Sequence, residues 1–227
     1  MGNGTKLCAA ACRGLRLYRS MTPQDLAKAR RALMRCDPVL ALVIKKHKAR
    51  PPYDAPTLDP FPALVRTITA QQISTKAAAT IHGRLVAHMP KGVTPKALLA
   101  LTDAQFRQAG LSQQKIGYLR DLADKVKSGV LPVASLHELD DDAVIDAIVK
   151  VKGLGRWSAE MFLMFRLRRP DVLPVGDLGI VTAIQRLYGL RKKPKPARIV
   201  KIGEAWRPYR TVACWYLWRS LENTPEE

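Results

Sequence analysis

Apolar residues recur at three- and four-residue spacing along almost all of this chain, and no segment alternates with the two-residue period of a half-buried strand. Thr22, followed by Pro23 and Asp25, has the chemistry of a helix start, and Leu26, Ala29, Leu33 and Met34 then share one face. Asp37-Pro38 opens a second, short helix ending near Lys48. Residues 49–60, ARPPYDAPTLDP, form a proline-rich connector. Residues 61–70 are helical and apolar, with a break at Gln71-Gln72. Ser74 starts a long helix reaching Met89, with Ala77, Ile81, Leu85 and Val86 turned inward. Residues 94–101, 102–109 and 112–128 form three more helices, with Thr102 and Ser112 as caps and Gly110 as a stop.

Asp140, Asp141 and Asp142 place negative charge at the start of the next helix, which reaches Val149. Residues 156–167 and 175–188 are helical in turn. A basic loop, RKKPKPAR at residues 191–198, precedes the last helices at 197–205 and 208–221. These elements predict an all-α globule whose middle and terminal helices pack around a cleft. Neither a P-loop nor a dinucleotide-binding fingerprint occurs.

Composition narrows the partners. The 227 residues, 47% hydrophobic, suffice for a buried core in one or two domains. The 38 Lys and Arg against 19 Asp and Glu leave a net charge of +19, a field that draws polyanions. No run of about 18 apolar residues is present to span a membrane. Cys8 and Cys12 stand at C-x3-C without a second pair, and Cys36 and Cys214 stand alone. The expectation is unpaired thiols, with neither a zinc site nor an iron–sulfur cluster. Residues 1–20 form a basic, acid-free arm expected to be flexible. That composition also suits a mitochondrial transit peptide, but the apolar run is short for a secretory signal and Lys6 breaks the myristoylation pattern. Residues 21–227 carry the fold.

Residues 141–167 read as helix, hairpin, helix. Gly153-Leu154-Gly155 lets the chain reverse tightly and bares backbone N–H groups, and the positive end of the next helix begins at Arg156. A phosphate fits there, with Lys152 or Arg156 adding charge. Such a contact holds nucleic acid without reading bases. An ordinary αα-corner with a glycine stop is the plainer reading. Leu154 is expected to pack inward.

The residues VKGLGRWSA, followed by LPVGDLGI, resemble the helix-hairpin-helix DNA glycosylase superfamily. Ala70 to Ser74 (AQQIS) and WRPYRTVACWYLW at residues 206–218 resemble its 3-methyladenine DNA glycosylase II branch. The resemblance covers roughly residues 20–221. It implies two helical lobes flanking a base-binding cleft, double-stranded DNA containing damaged bases as partner, and a monomer that hydrolyses the N-glycosidic bond of alkylated bases. It implies the cytoplasm or nucleoid of a bacterium, or the nucleus of a eukaryote. By position, the backbone of Gly153, Gly155 and Ser158 holds phosphate. The main-chain carbonyls of Val149, Val151 and Leu154 hold a structural Na or K ion, and catalysis needs no cofactor.

By the same resemblance Asp177 is the catalytic aspartate. A fixed carboxylate suits the positive charge that grows on a sugar losing its base, and it can orient water. The plainer reading is a helix N-cap, and one aspartate can do both. Bifunctional relatives carry a nucleophilic lysine where this chain has Trp157, so a monofunctional enzyme is implied. Trp157 and Trp218 are assigned to the base pocket, where an aromatic wall favours a cationic alkylated ring. Trp206 and Trp215 are assigned to the core. Met161 stands where relatives carry an aromatic, which leaves the substrate range among 3-methyladenine, 7-methylguanine and ethenoadenine open. Gln72 matches the wedge that fills the stack after flipping, against the alternative of a plain turn. Ile73 is an alternative hydrophobic anchor, and Ser74 either touches the minor groove or caps its helix. A non-enzymatic binder of damaged DNA explains the charge and hairpin equally well, but not Asp177 and the aromatics.

Overall fold

The computed structural model describes residues 20–47, 51 and 59–222. The basic arm, Cys8 and Cys12, and most of the proline-rich connector lie outside them. Every regular element among the described residues is helical. These residues divide into two compact units, one within Thr57–Phe162 and one combining parts of Met1–Pro56 with Leu163–Glu227.

The second of these units holds α1 (Pro23–Cys36), α2 (Pro38–Lys46), α10 (Leu178–Leu187), α11 (Pro196–Gly203) and α12 (Arg210–Arg219). Helix α1 starts at Thr22 as the sequence predicts, and Thr22 caps it in a full capping box with Asp25. Six of the ten residues of α12 are buried, so it is apolar nearly all round and serves as the axle on which α1, α2 and α10 pack. Trp206 is fully buried, in agreement with its expected core role. Trp215 departs from that expectation. It is only half-buried, with its ring edge-on to Tyr216 at 4.9 Å and the Arg219 guanidinium over its face at 5.4 Å, because it stands on the least covered side of α12.

Asp37 ties this unit together. It ends α1 and caps α2, accepting from the Val39 and Leu40 amides at 2.9 and 3.0 Å through Oδ1. Its Oδ2 accepts from the Tyr188 hydroxyl at 2.5 Å and the Trp206 indole at 2.8 Å. Burial, reinforced by this carboxylate, raises the Tyr188 phenol well above its usual range, so it remains a donor.

The other unit contains α3 (Pro60–Ala70), α4 (Thr75–Ala87), α5 (Pro95–Leu99), α6 (Asp103–Ala109), α7 (Gln113–Lys127) and α8 (Asp141–Val149). Thr102 and Ser112 cap their helices as expected, Gly110 ends α6 at φ +98°, and the acidic start of α8 supplies its cap in Asp140. Helix α7 is the hub, packing on α3, α5 and α6 through Ile116, Leu119, Leu122 and Ala123. Helix α4 is more open than its periodicity suggests. Of the four inward positions only Leu85 is buried, since α4 meets α3 and α6 along a narrow stripe. Helix α9 (Arg156–Phe165) runs across the division between the units.

Replacing Asp37 by Ala removes two capping bonds and orphans two buried donors. The expected loss is about 2–4 kcal/mol of unfolding free energy. It is read from the urea midpoint, with the denaturant slope unchanged.

Candidate functional site

Two groups of side chains carry chemistry, one in each unit. In the unit of α12, the backbone turns at Pro174, whose carbonyl accepts the Asp177 amide at 3.0 Å. The helix predicted from residue 175 therefore begins only at Leu178, and Asp177 is its N-cap. Asp177 Oδ1 accepts the Ile180 amide at 2.8 Å and the Trp218 indole Nε1–H at 2.8 Å. Two donors converging on one oxygen fix the carboxylate plane. Only 9% of Asp177 is exposed.

Trp218 reaches that oxygen because residue 179 is glycine. A Cβ there would lie 2.8 Å from the Trp218 ring and 3.1 Å from Asp177 Oδ1. Phe165 stacks on the Trp218 ring at 5.9 Å with 30° between planes. The approach to Asp177 is pinned from α12. The Thr211 hydroxyl donates to the Arg169 carbonyl at 2.6 Å and accepts the Val172 amide at 3.0 Å. The Thr211 amide bonds the Pro170 carbonyl at 3.0 Å. Arg210 and Arg207 both bond the Asp171 carboxylate, the former through Nε at 2.7 Å. The WRPYRT stretch is thus the scaffold of the carboxylate loop.

In the unit of α7, the hairpin closes through the Val151 amide bonding the Ile148 carbonyl and the Leu154 amide bonding the Val151 carbonyl. Leu154 is buried, as expected. Gly153 sits at φ +81°, and a Cβ there would run into the Tyr118 ring. Among the described residues Gly155 has open space around it, and its carbonyl accepts the Ala159 amide at 3.1 Å in the first turn of α9. Asp121 on α7 accepts the Lys152 amide at 2.8 Å and the Lys125 ammonium at 2.6 Å, leaving the Lys152 side chain exposed. Burial pushes the Asp121 carboxyl up, but these donors and the two nearby cations outweigh it and hold the carboxyl below its ordinary range. Arg156 is exposed and bonds Glu160 at 3.1 Å.

A cavity of about 640 Å³ in this unit is lined by Trp157, Met161, Ser158, Gln71, Gln72, Lys115 and Tyr118, among others. Trp157 is 50% exposed, a poor position for a core residue. Gln72 is exposed with φ +59°, a strained value for a side-chain-bearing residue. Ile73 is 37% exposed, which overturns its alternative role as a hydrophobic anchor. Ser74 Oγ accepts the Ala77 amide at 3.3 Å, as a helix cap does. Val149 ends α8, Val151 and Leu154 lie in the hairpin, and the Val151 carbonyl keeps a second lone pair beyond its bond to Leu154.

Residues 65–208, well over half of the chain, match the HhH-GPD superfamily base excision DNA repair protein family. The chain belongs to this superfamily. It is 34% identical to DNA-3-methyladenine glycosylase 1 of Schizosaccharomyces pombe over 165 residues, covering 71% of this chain and 72% of that one. The structure is similar to S. pombe 3-methyladenine DNA glycosylase in complex with abasic DNA, at TM-score 0.76 and 31% identity, over 88% of this chain and 99% of that one. It is equally close to a DNA-3-methyladenine glycosidase from Bacillus halodurans, at TM-score 0.76 and 34% identity, over 92% and 94%.

Four further residues shape these HhH-GPD groups and escaped the sequence reading: Gly179, Phe165, Tyr118 and Lys115. Only Phe165 had a local signal, being four residues beyond Met161 as Met161 is four beyond Trp157. The other three act across distances that spacing does not encode.

Gly153→Ala is expected to lower the melting temperature by several degrees, about 1–2 kcal/mol, through strain and the Tyr118 clash, while Gly155→Ala leaves it unchanged. Asp121→Asn tests the hairpin brace by pH. The folded carboxyl titrates below the unfolded one, so its stabilisation is fully present above about pH 4 and fades as pH falls through the lower folded value. The wild type is therefore expected to exceed the Asn variant in stability at pH 6, with the gap closing toward pH 3.

Proposed function

We propose that this chain is a monofunctional DNA glycosylase that removes alkylated bases from double-stranded DNA, leaving an abasic site. The single observation that carries the reading is the Asp177 carboxylate, held at one oxygen by the Trp218 indole and the Ile180 amide. Its chemistry is simple. The C1′–N bond breaks and its electron pair leaves with the base. Positive charge grows on C1′ and the ring oxygen, and the nearby carboxylate stabilises it. The oxygen of a water then bonds to C1′ and a proton is released. A purine alkylated at N3 or N7 carries positive charge and departs neutral, which makes it a good leaving group.

The hairpin amides around Gly153, Gly155 and Ser158 hold a phosphate, with Lys152 and Arg156 supplying charge. The carbonyls of Val149, Val151 and Leu154 are neutral, hard oxygen donors suited to a Na or K ion at the hairpin. Trp157 and Met161 take the flipped base against their cavity, and Gln72 enters the stack behind it. Position 157 carries an indole in place of an amine, so no Schiff base forms there and the strand stays intact. The chain works as a monomer in the compartment that holds the genome. Among the described residues no helix is long and apolar enough to cross a membrane.

Purified protein incubated with duplex DNA containing 7-methylguanine or 3-methyladenine is expected to release the free base, without strand scission until alkali is added. Asp177→Asn lowers the single-turnover rate by at least about a hundredfold while leaving duplex affinity near wild type. Tight binding to the damaged duplex with no base released, from wild type and variant alike, makes the protein a damage binder instead.

A further inference from the structure

Lys115 lies on α7, partly shielded from water, and among the described residues no carboxylate is bonded to it. Its ammonium donates instead to the main-chain carbonyls of Thr69 and Gln71, both at 2.7 Å. These carbonyls belong to the C-terminal end of α3, where a cation is favoured by the helix dipole and by the unpaired carbonyls of the last turn. Immediately beyond, Gln71 sends its Nε2 to the hairpin carbonyl of Gly153 at 2.7 Å. Next in the chain is Gln72, exposed and forced into the left-handed region.

The same helix holds the hairpin. Tyr118 covers Gly153 and Asp121 takes the Lys152 amide. Lys115, Tyr118 and Asp121 are spaced by three residues, so one face of α7 grips both the turn after α3 and the hairpin. Gln72 cannot relax to an ordinary backbone angle without loosening the residue that Lys115 and Gly153 fix on its N-terminal side. Left-handed backbone at a side-chain-bearing residue costs of order 1–3 kcal/mol and persists only where its surroundings enforce it.

We infer that Lys115 is a positioning residue for base extrusion: by pinning the Thr69 and Gln71 carbonyls it holds Gln72 in its strained conformation, at a fixed register to the phosphate-binding hairpin. This rests on the glycosylase reading above. Lys115 does not touch the reacting atoms in this assignment. Its ammonium is engaged by the two carbonyls, and burial lowers its pKa. Phosphate attraction is left to the exposed cations.

The test uses the full-length chain with Lys115→Met, Lys115→Arg and Gln71→Ala. Single-turnover release of 7-methylguanine is measured beside 2-aminopurine fluorescence at the target position, which reports unstacking without needing excision. Affinity for undamaged duplex and melting temperature are controls. Lys115→Met is expected to lose about tenfold or more in maximal rate and most of the fluorescence rise, with undamaged-duplex affinity within about twofold of wild type. Lys115→Arg, whose planar fork can span two carbonyls, restores much of both signals. Gln71→Ala, which leaves Lys115 in place, shows a milder loss of the same kind and serves should the Met variant not fold. Wild-type rate and fluorescence in Lys115→Met, or in Gln71→Ala where the Met variant does not fold, overturn the inference alone. So does a fall in rate that only tracks a fall in undamaged-duplex binding. A wild-type chain that unstacks 2-aminopurine but frees no alkylated base overturns the glycosylase reading and leaves the positioning role standing.

Discussion

A carboxylate stabilises a growing positive charge only if it is already in place when the charge appears, and Asp177, proposed for that role, is fixed by bonds that reach across the unit built on α12. Asp177 is held by an amide three residues on and by an indole forty-one residues on, both at 2.8 Å. The indole fits because position 179 has no side chain. The loop that brings Asp177 to its cap is tied through Arg169, Pro170, Asp171 and Val172 to the start of α12. The other end of α12 carries Trp218. A single buried helix thus anchors both the carboxylate loop and the ring that orients the carboxylate. Asp37 binds the remaining helices to this frame, and its bonds to Tyr188 and Trp206 span 151 and 169 residues of chain.

The other unit solves a different problem, which is to present backbone rather than side chains. A hairpin proposed to bind phosphate must expose amides while keeping its own shape. Leu154 is buried beneath it, Asp121 on α7 takes the Lys152 amide, and the Tyr118 ring closes over Gly153. The two glycines play different parts. Gly153 is demanded by a left-handed angle and a close ring, whereas nothing among the described residues crowds Gly155. Open space at Gly155 suits the phosphate contact proposed for that position. The strained Gln72 and the partly exposed Trp157 depart from what folding alone favours, and such departures gather where a protein meets its substrate.

Local signals made the helices legible. The helix starts at Thr22 and Asp140 and the caps Thr102 and Ser112 are legible because capping is a contact within three residues. The two glycines and Asp177 were legible through their motif. Errors arose where the deciding contact is distant. Residues 175–176 join a helical pattern on paper, but the Pro174 turn and the Asp177 cap exclude them. Trp215 and Trp218 stand three apart on α12, and nothing in their spacing tells which is packed against Asp177 and which lies under Arg219. Ile73 looked like an anchor because it is apolar, yet the left-handed turn before it carries it outward. Gly179, Tyr118 and Lys115 were invisible for the same reason: each matters through a neighbour brought close only by the fold.

The central claim is that a fixed negative charge at Asp177 favours a positively charged sugar over a neutral one. It is tested most directly by equilibrium binding to two duplexes, one with a cationic pyrrolidine in place of the target deoxyribose and one with neutral tetrahydrofuran. The account predicts that the wild type prefers the cationic duplex by about a hundredfold or more and that Asp177→Asn loses nearly all of that preference. An equal preference in both proteins would place the stabilising charge elsewhere and contradict it.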